Sequence, residues 1–142
     1  MVPVFLLCAA IIVTLAMADL LSKAGAEPGP LQTDDRGFID TPVRCDLPQS
    51  AVVFGRTERS LVAICVDQAG HYQYRGARLG DAAVLTVVAE PTVPGEFFAQ
   101  KDGATYTVTA KELVIKADNY SSTEPMLQFG APPLLAVGVP TP

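Results

Sequence analysis

Tryptophan is absent from this sequence of 142 residues, and histidine occurs once. Catalytic and metal sites usually draw on imidazoles, so both kits are thin. Positive charge is scarce: ten Lys and Arg stand against fifteen Asp and Glu, a formal net charge of −5. A chain of that sign lacks the electrostatic footprint of a generic nucleic-acid binder. There is no phosphate loop, G-x-G-x-x-G, H-E-x-x-H, G-x-S-x-G or D-x-D-x-D-G. No cofactor and no metal is implied, and no segment repeats. What is present is apolar: 49% of residues are hydrophobic and 18% charged, which excludes a wholly disordered chain. The length suits a single domain.

The apolar bias is concentrated at the start. Residues 1–18, MVPVFLLCAAIIVTLAMA, carry no charged side chain. Such a run is the core of a signal peptide or of a short transmembrane helix. Two small-x-small cleavage patterns follow, Ala16-Met17-Ala18 and Ala24-Gly25-Ala26. The second is preferred, because it leaves an extended start, Glu27-Pro28-Gly29-Pro30, that a helix cannot enter. No Lys or Arg precedes the run, so two alternatives stay open: a retained single-span anchor and a buried core helix. As a helix the run is about 27 Å long, marginal for a bilayer core of about 30 Å. Membrane attachment, if any, would use residues 1–21.

Cys8 lies in that run and lacks the small preceding residue of a lipoprotein site. Cys45 and Cys65 remain, an even pair that an oxidising compartment would bridge. Two buried thiols are the alternative. Zinc is disfavoured, since neither has a second Cys or His at ligand spacing.

From residue 51 onward, short β-branched and aromatic runs are cut by turn residues every 8–12 positions. That spacing predicts an all-β fold, a small antiparallel β-barrel or sandwich, preceded by the N-terminal apolar helix. The expected strands are 51–54, 61–66, 72–75, 83–89, 96–101, 105–109, 113–116 and 126–129. Asp102-Gly103 supplies the two positive-φ residues of a type I′ hairpin, with Tyr106 and Val108 on one face beyond it. The run 61–66 is apolar throughout, as in a strand buried on both faces. Thr109-Ala110-Lys111-Glu112 has the form of a helix start, with room only for a short turn. The organisation expected is a leader over 1–26, a linker over 27–37, a β domain over 38–129 and a Pro-rich tail over 130–142.

Catalytic candidates are few. His71 is the sole imidazole, with Asp67 close enough in sequence to orient it, but no nucleophile stands in a strained elbow. A solvated turn histidine is the simpler reading. Asp34, Asp35 and Asp40 are hard oxygen donors without a calcium-loop pattern. Asp81 and Asp102 are explained by turn chemistry. Asn119-Tyr120-Ser121 is a glycosylation sequon only where the producing cell glycosylates. Five of the six arginines fall within residues 44–78, against three acids. Arg56, Arg59, Arg75 and Arg78 are thus candidates for an anion-facing edge, against the simpler reading of a solvated, acid-paired face.

The leader, GFIDTPVRC, VVFGRTERSLVAIC, YQYRGARL and the Asp-Gly hairpin together resemble small uncharacterised exported proteins of mycobacteria and related actinobacteria. The resemblance covers about residues 37–116. It implies a cell-envelope location and carries over no functional residue. The expected function is an exported, non-enzymatic binding or structural module, secreted or at the cell envelope. The alternative is a small extracytoplasmic hydrolase using His71 as base. A single-span anchored form would hold the β domain outside. The partner classes are an envelope protein, a lipid or a polysaccharide, not a nucleic acid.

Overall fold

The computed structural model describes residues 29–81 and 83–132. The leader expected over 1–26 and most of the tail, from 133 on, lie outside them. Regular structure among the described residues is entirely β. Strands β1 (Thr33–Asp34) and β2 (Gly37–Phe38) form a two-residue hairpin. Strand β3 (Ser50–Arg56), β4 (Ser60–Val66), β5 (Tyr72–Arg78) and β6 (Leu85–Pro91) follow. Then come β7 (Phe97–Lys101), β8 (Ala104–Val108), β9 (Glu112–Ala117), β10 (Tyr120–Pro125) and β11 (Gln128–Gly130). The last nine make one antiparallel sheet in the order β10-β9-β8-β7-β6-β5-β4-β3-β11.

That order makes the sheet curl. The two edge strands are joined by Met126 and Leu127 alone, so the two edges must be brought close together. Met126 donates its N–H to the Lys111 carbonyl at 2.9 Å, and Leu127 donates to that of Arg56 at 2.8 Å. One segment thus serves β9 with its first half and β3 with its second. The result is a half-barrel curl.

The curl divides side chains by strand parity. Val62 and Ile64 of β4, Tyr74, Val87, Ala89, Phe97, Ala99, Val108 and Leu113 fill the concave side. Leu61, Ala63 and Cys65 of β4 point the other way, into a second cluster with Phe38, Val43, Cys45 and Phe54. The continuous apolar run of β4 is therefore buried on both faces, as expected. Phe38 and Val43 are fully buried. Each such side chain contributes about 1.5–3 kcal/mol by leaving water. Phe38 meets Phe54 edge-on, centroids 5.0 Å apart. A register shift between Ala51 and Val53 lets Val53 turn inward while Phe54 stays outward.

The bridge between Cys45 and Cys65, Cα atoms 5.6 Å apart, ties the leading segment to β4. That segment is more ordered than a linker. Pairing begins at Thr33, and Leu31 exchanges two hydrogen bonds with the Gln128 side-chain amide, at 2.9 and 2.8 Å. The Asp102-Gly103 turn forms as expected, with φ of 51° and 80° at its two central residues.

The helix start expected at Thr109 is corrected. Thr109 accepts from the N–H groups of Lys111 and Glu112, both at 3.2 Å, while its own N–H donates to the Glu112 carbonyl at 3.0 Å. The hydroxyl does the work of a helix cap, but the chain turns back as a β-hairpin. Thr57 repeats this geometry between β3 and β4, accepting from Arg59 at 3.1 Å and Ser60 at 2.9 Å. Strand β10 was not expected at all.

Candidate functional site

The inward face changes character at one end of the curl. Along β5, Tyr74, Gly76 and Arg78 share the concave side, since they alternate with Arg75 and Ala77. Opposite them, β10 presents Tyr120, Ser122 and Glu124 inward, in register with Ala117, Ile115 and Leu113 of β9. Arg78 crosses the space between and donates to Glu124 Oε1 at 2.8 Å and to the Tyr120 hydroxyl at 3.2 Å. The Thr57 hydroxyl donates to Glu124 Oε2 at 2.8 Å, and Ser122 reaches Oε1 at 3.4 Å. A carboxylate on β10 thus holds β5 and the β3–β4 turn together.

Glu124 is 5% exposed. Burial works to raise its pKa, but the hydrogen bonds from Thr57 and Ser60 and the Arg78 charge outweigh it, so the carboxyl stays below its ordinary range. The Tyr120 phenol is lowered by its hydrogen bonds with Ser122 and Arg78. Arg78 is raised, chiefly by the bond to Tyr120.

Beneath this clasp lies a cavity of about 390 Å³, lined among others by Ser60, Tyr74, Arg78, Leu85, Tyr106 and Ile115. Its size is that of small-molecule sites, and the mouth of a curled sheet is a usual place for one. Tyr74 and Tyr106 form its aromatic wall, centroids 4.9 Å apart and planes tilted by 33°. The Tyr74 phenol is pushed well up by burial. Gly76 makes room for it: a Cβ there would meet the Tyr74 hydroxyl oxygen at 2.5 Å. Asp81 stands at the rim, its carboxylate accepting from the Ala83 N–H at 3.0 Å.

The four arginines singled out in the sequence do not form one edge. Arg75 and Arg78 are three apart on β5 and so leave opposite faces. Arg75 pairs with Asp46 at 2.9 Å on the convex side, and Arg78 with Glu124 on the concave side. Arg56 and Arg59 flank the β3–β4 turn and make no ion pair among the described residues. Arg44 is held by Asp34, whose carboxyl is lowered by that contact.

His71 sits on the β4–β5 turn, its side chain 81% exposed, with Nδ1 3.2 Å from Asp67 Oδ2. Asp67 also caps the turn, accepting from the N–H groups of Ala69 and His71 at 2.9 Å each. Backbone hydrogen bonding from His71 is the main reason its carboxyl is lowered. Among the described residues, no three His, Cys, Asp or Glu side chains gather as a metal site.

Sequence reasoning missed Glu124, Tyr74 and Tyr106 as a group. The period-2 pattern of Tyr72-Gln73-Tyr74-Arg75-Gly76-Ala77-Arg78 would have placed Tyr74 and Arg78 together, had the strand not been cut at Arg75. No family model, curated protein or solved structure matches the chain.

Proposed function

We propose that this protein is an extracytoplasmic binding or structural module, secreted or displayed at the cell envelope, and that it acts without catalysis. One observation carries the location: the covalent bridge from Cys45 to Cys65. Such bonds persist in oxidising compartments and are rare where thiols are kept reduced. The charge-free run over residues 1–18 and the resemblance to exported actinobacterial proteins support the same location. In this reading the curled sheet is a small β-barrel module. The apolar run before it is an export signal or, where it is retained, a single-span anchor that leaves the module outside.

The binding role is supported by the cavity at the mouth of the curl. It combines an aromatic wall bearing two phenol hydroxyls with the Arg78 guanidinium and the Asp81 carboxylate, the composition of a recognition site. The acid-base reading of His71 gains no such support, because its imidazole stands on an exposed turn away from that cavity.

Mass spectrometry of the native protein, with fractionation of the producing cell, tests the location. The expected result is a species lacking two hydrogens at Cys45 and Cys65, in the envelope or medium. Two free thiols in a cytosolic fraction would overturn it. A native mass that still includes residues 1–26 would select the anchored form.

A further inference from the structure

We infer that the cavity under the Arg78–Glu124 clasp takes one neutral, hydroxyl-bearing ring, a single sugar or cyclitol unit. This rests on the binding role proposed above and names its ligand class.

Charge narrows the choice first. Arg78 is the one cation among the cavity's described lining residues, and its guanidinium is committed to Glu124 and Tyr120. An anion therefore finds no uncompensated partner. The remaining charge, Asp81 at the rim, would repel it. A purely apolar ligand is disfavoured for a different reason. It would cover the two phenols and Asp81 without satisfying them, and each unsatisfied polar group is costly.

What remains is a ligand with an apolar face and neutral donors and acceptors on its edge. The cavity presents that combination. Leu85, Ile115 and the Tyr74–Tyr106 pair offer apolar and aromatic surface to C–H groups. Both phenols and the Asp81 carboxylate offer donors and acceptors to hydroxyls. A volume of about 390 Å³ accommodates a substituted ring.

Tyrosine fluorescence and ring NMR signals report on this site directly, because the chain has no Trp and four Tyr. The experiment titrates the oxidised native protein with four probe classes. Methyl glucoside and myo-inositol are the neutral rings, glucuronate the anion, choline the cation and cyclohexane the apolar control. The expected result is a saturable shift of the Tyr74 and Tyr106 signals by a neutral ring, with Kd on the order of 1 mM. Tyr106→Phe should weaken it about tenfold by removing one hydroxyl, with the melting temperature nearly unchanged. Gly76→Ala should abolish it by displacing the Tyr74 phenol. Tighter binding by glucuronate, choline or cyclohexane overturns the ligand class and leaves a binding module. No saturable shift from the water-soluble probes at about ten times that Kd, or from cyclohexane at saturation, overturns the cavity as a ligand site. Neither outcome touches the location, which the native mass decides separately.

Discussion

Replacing Arg78 with Met leaves the Glu124 carboxylate, 5% exposed, without its cation. Replacing Glu124 with Gln leaves an Arg78 side chain that is 44% exposed and can turn to water. The two halves of this ion pair are therefore unequal. Losing the partner of a buried charge costs about 3–5 kcal/mol. The Thr57 hydrogen bond to Glu124 survives, which puts Arg78→Met near the lower end, about 3 kcal/mol at pH 7. Glu124→Gln keeps an acceptor for Thr57 and should cost only about 1 kcal/mol. In a domain of this size about 3 kcal/mol lowers the melting temperature by roughly 12 °C or more. The pH dependence supplies the sharper test. In the native protein the Glu124 pKa is lowered. Its contribution is full above the unfolded carboxylate range and is lost as pH falls through the folded value. In Arg78→Met the cation is gone, so the folded pKa rises above its value in the native protein. The deficit should then grow as pH rises from about 4 to 7 and shrink as a proton neutralises the carboxyl. Thermal melts followed by circular dichroism at both pH values measure this. If Glu124→Gln costs more than Arg78→Met at pH 7, or if the Arg78→Met deficit is flat with pH, the reasoning is refuted.

The Cys45→Ser/Cys65→Ser double variant should lose about 3 kcal/mol, as loop-closure entropy predicts for a separation of 20 residues. Hydrogen exchange should show residues 31–45 loosening before the sheet. Gly76→Ala, whose Cβ would lie 2.5 Å from the Tyr74 hydroxyl oxygen, should cost about 1–3 kcal/mol and change the near-ultraviolet tyrosine dichroism. His71→Ala should shift stability by less than about 0.5 kcal/mol, because its side chain is 81% exposed. A chemical-denaturation midpoint that moves well beyond that would give the imidazole a role its turn does not explain.

The elements legible in the sequence are those where local chemistry and tertiary need coincide. Strand β4 reads as apolar because both its faces are covered, by Val62 and Ile64 on one side and Leu61, Ala63 and Cys65 on the other. The hairpin at Asp102-Gly103 reads as a turn because two positive-φ residues have few other uses. Strand β10, Tyr-Ser-Ser-Thr-Glu-Pro, was illegible for the converse reason. Its inward residues are polar, so no apolar alternation announces it. They are polar because Arg78 waits across the curl, and nothing local reveals a partner 46 residues away. The Thr109 turn shows a milder form of the same limit. A Thr hydroxyl aimed at N–H groups two and three residues on serves a helix cap and a tight hairpin alike, and only the pairing of β8 with β9 decides between them.

Closure of the curl and formation of the cavity are one construction. The segment that carries Glu124 leaves β9 and joins β3 within two residues. Glu124 sits at that crossing and is bonded to Thr57, at the end of β3, and to Arg78, on the cavity wall. Loosening the clasp would release Arg78 from its place in the cavity wall, and a ligand seated against that wall would favour the clasped state. Thermodynamic linkage makes the two effects reciprocal. A neutral ring present at about a hundred times its Kd would add about 2.7 kcal/mol to the folded state if it does not bind the unfolded chain. That is close to what Arg78→Met is expected to remove. Ligand should thus restore most of the melting temperature lost by this variant wherever the cavity still forms, and restore little where the mouth has opened. The size of the rescue measures how far the Arg78–Glu124 contact, rather than the surrounding apolar rows of Leu85, Tyr106 and Ile115, keeps the site in shape.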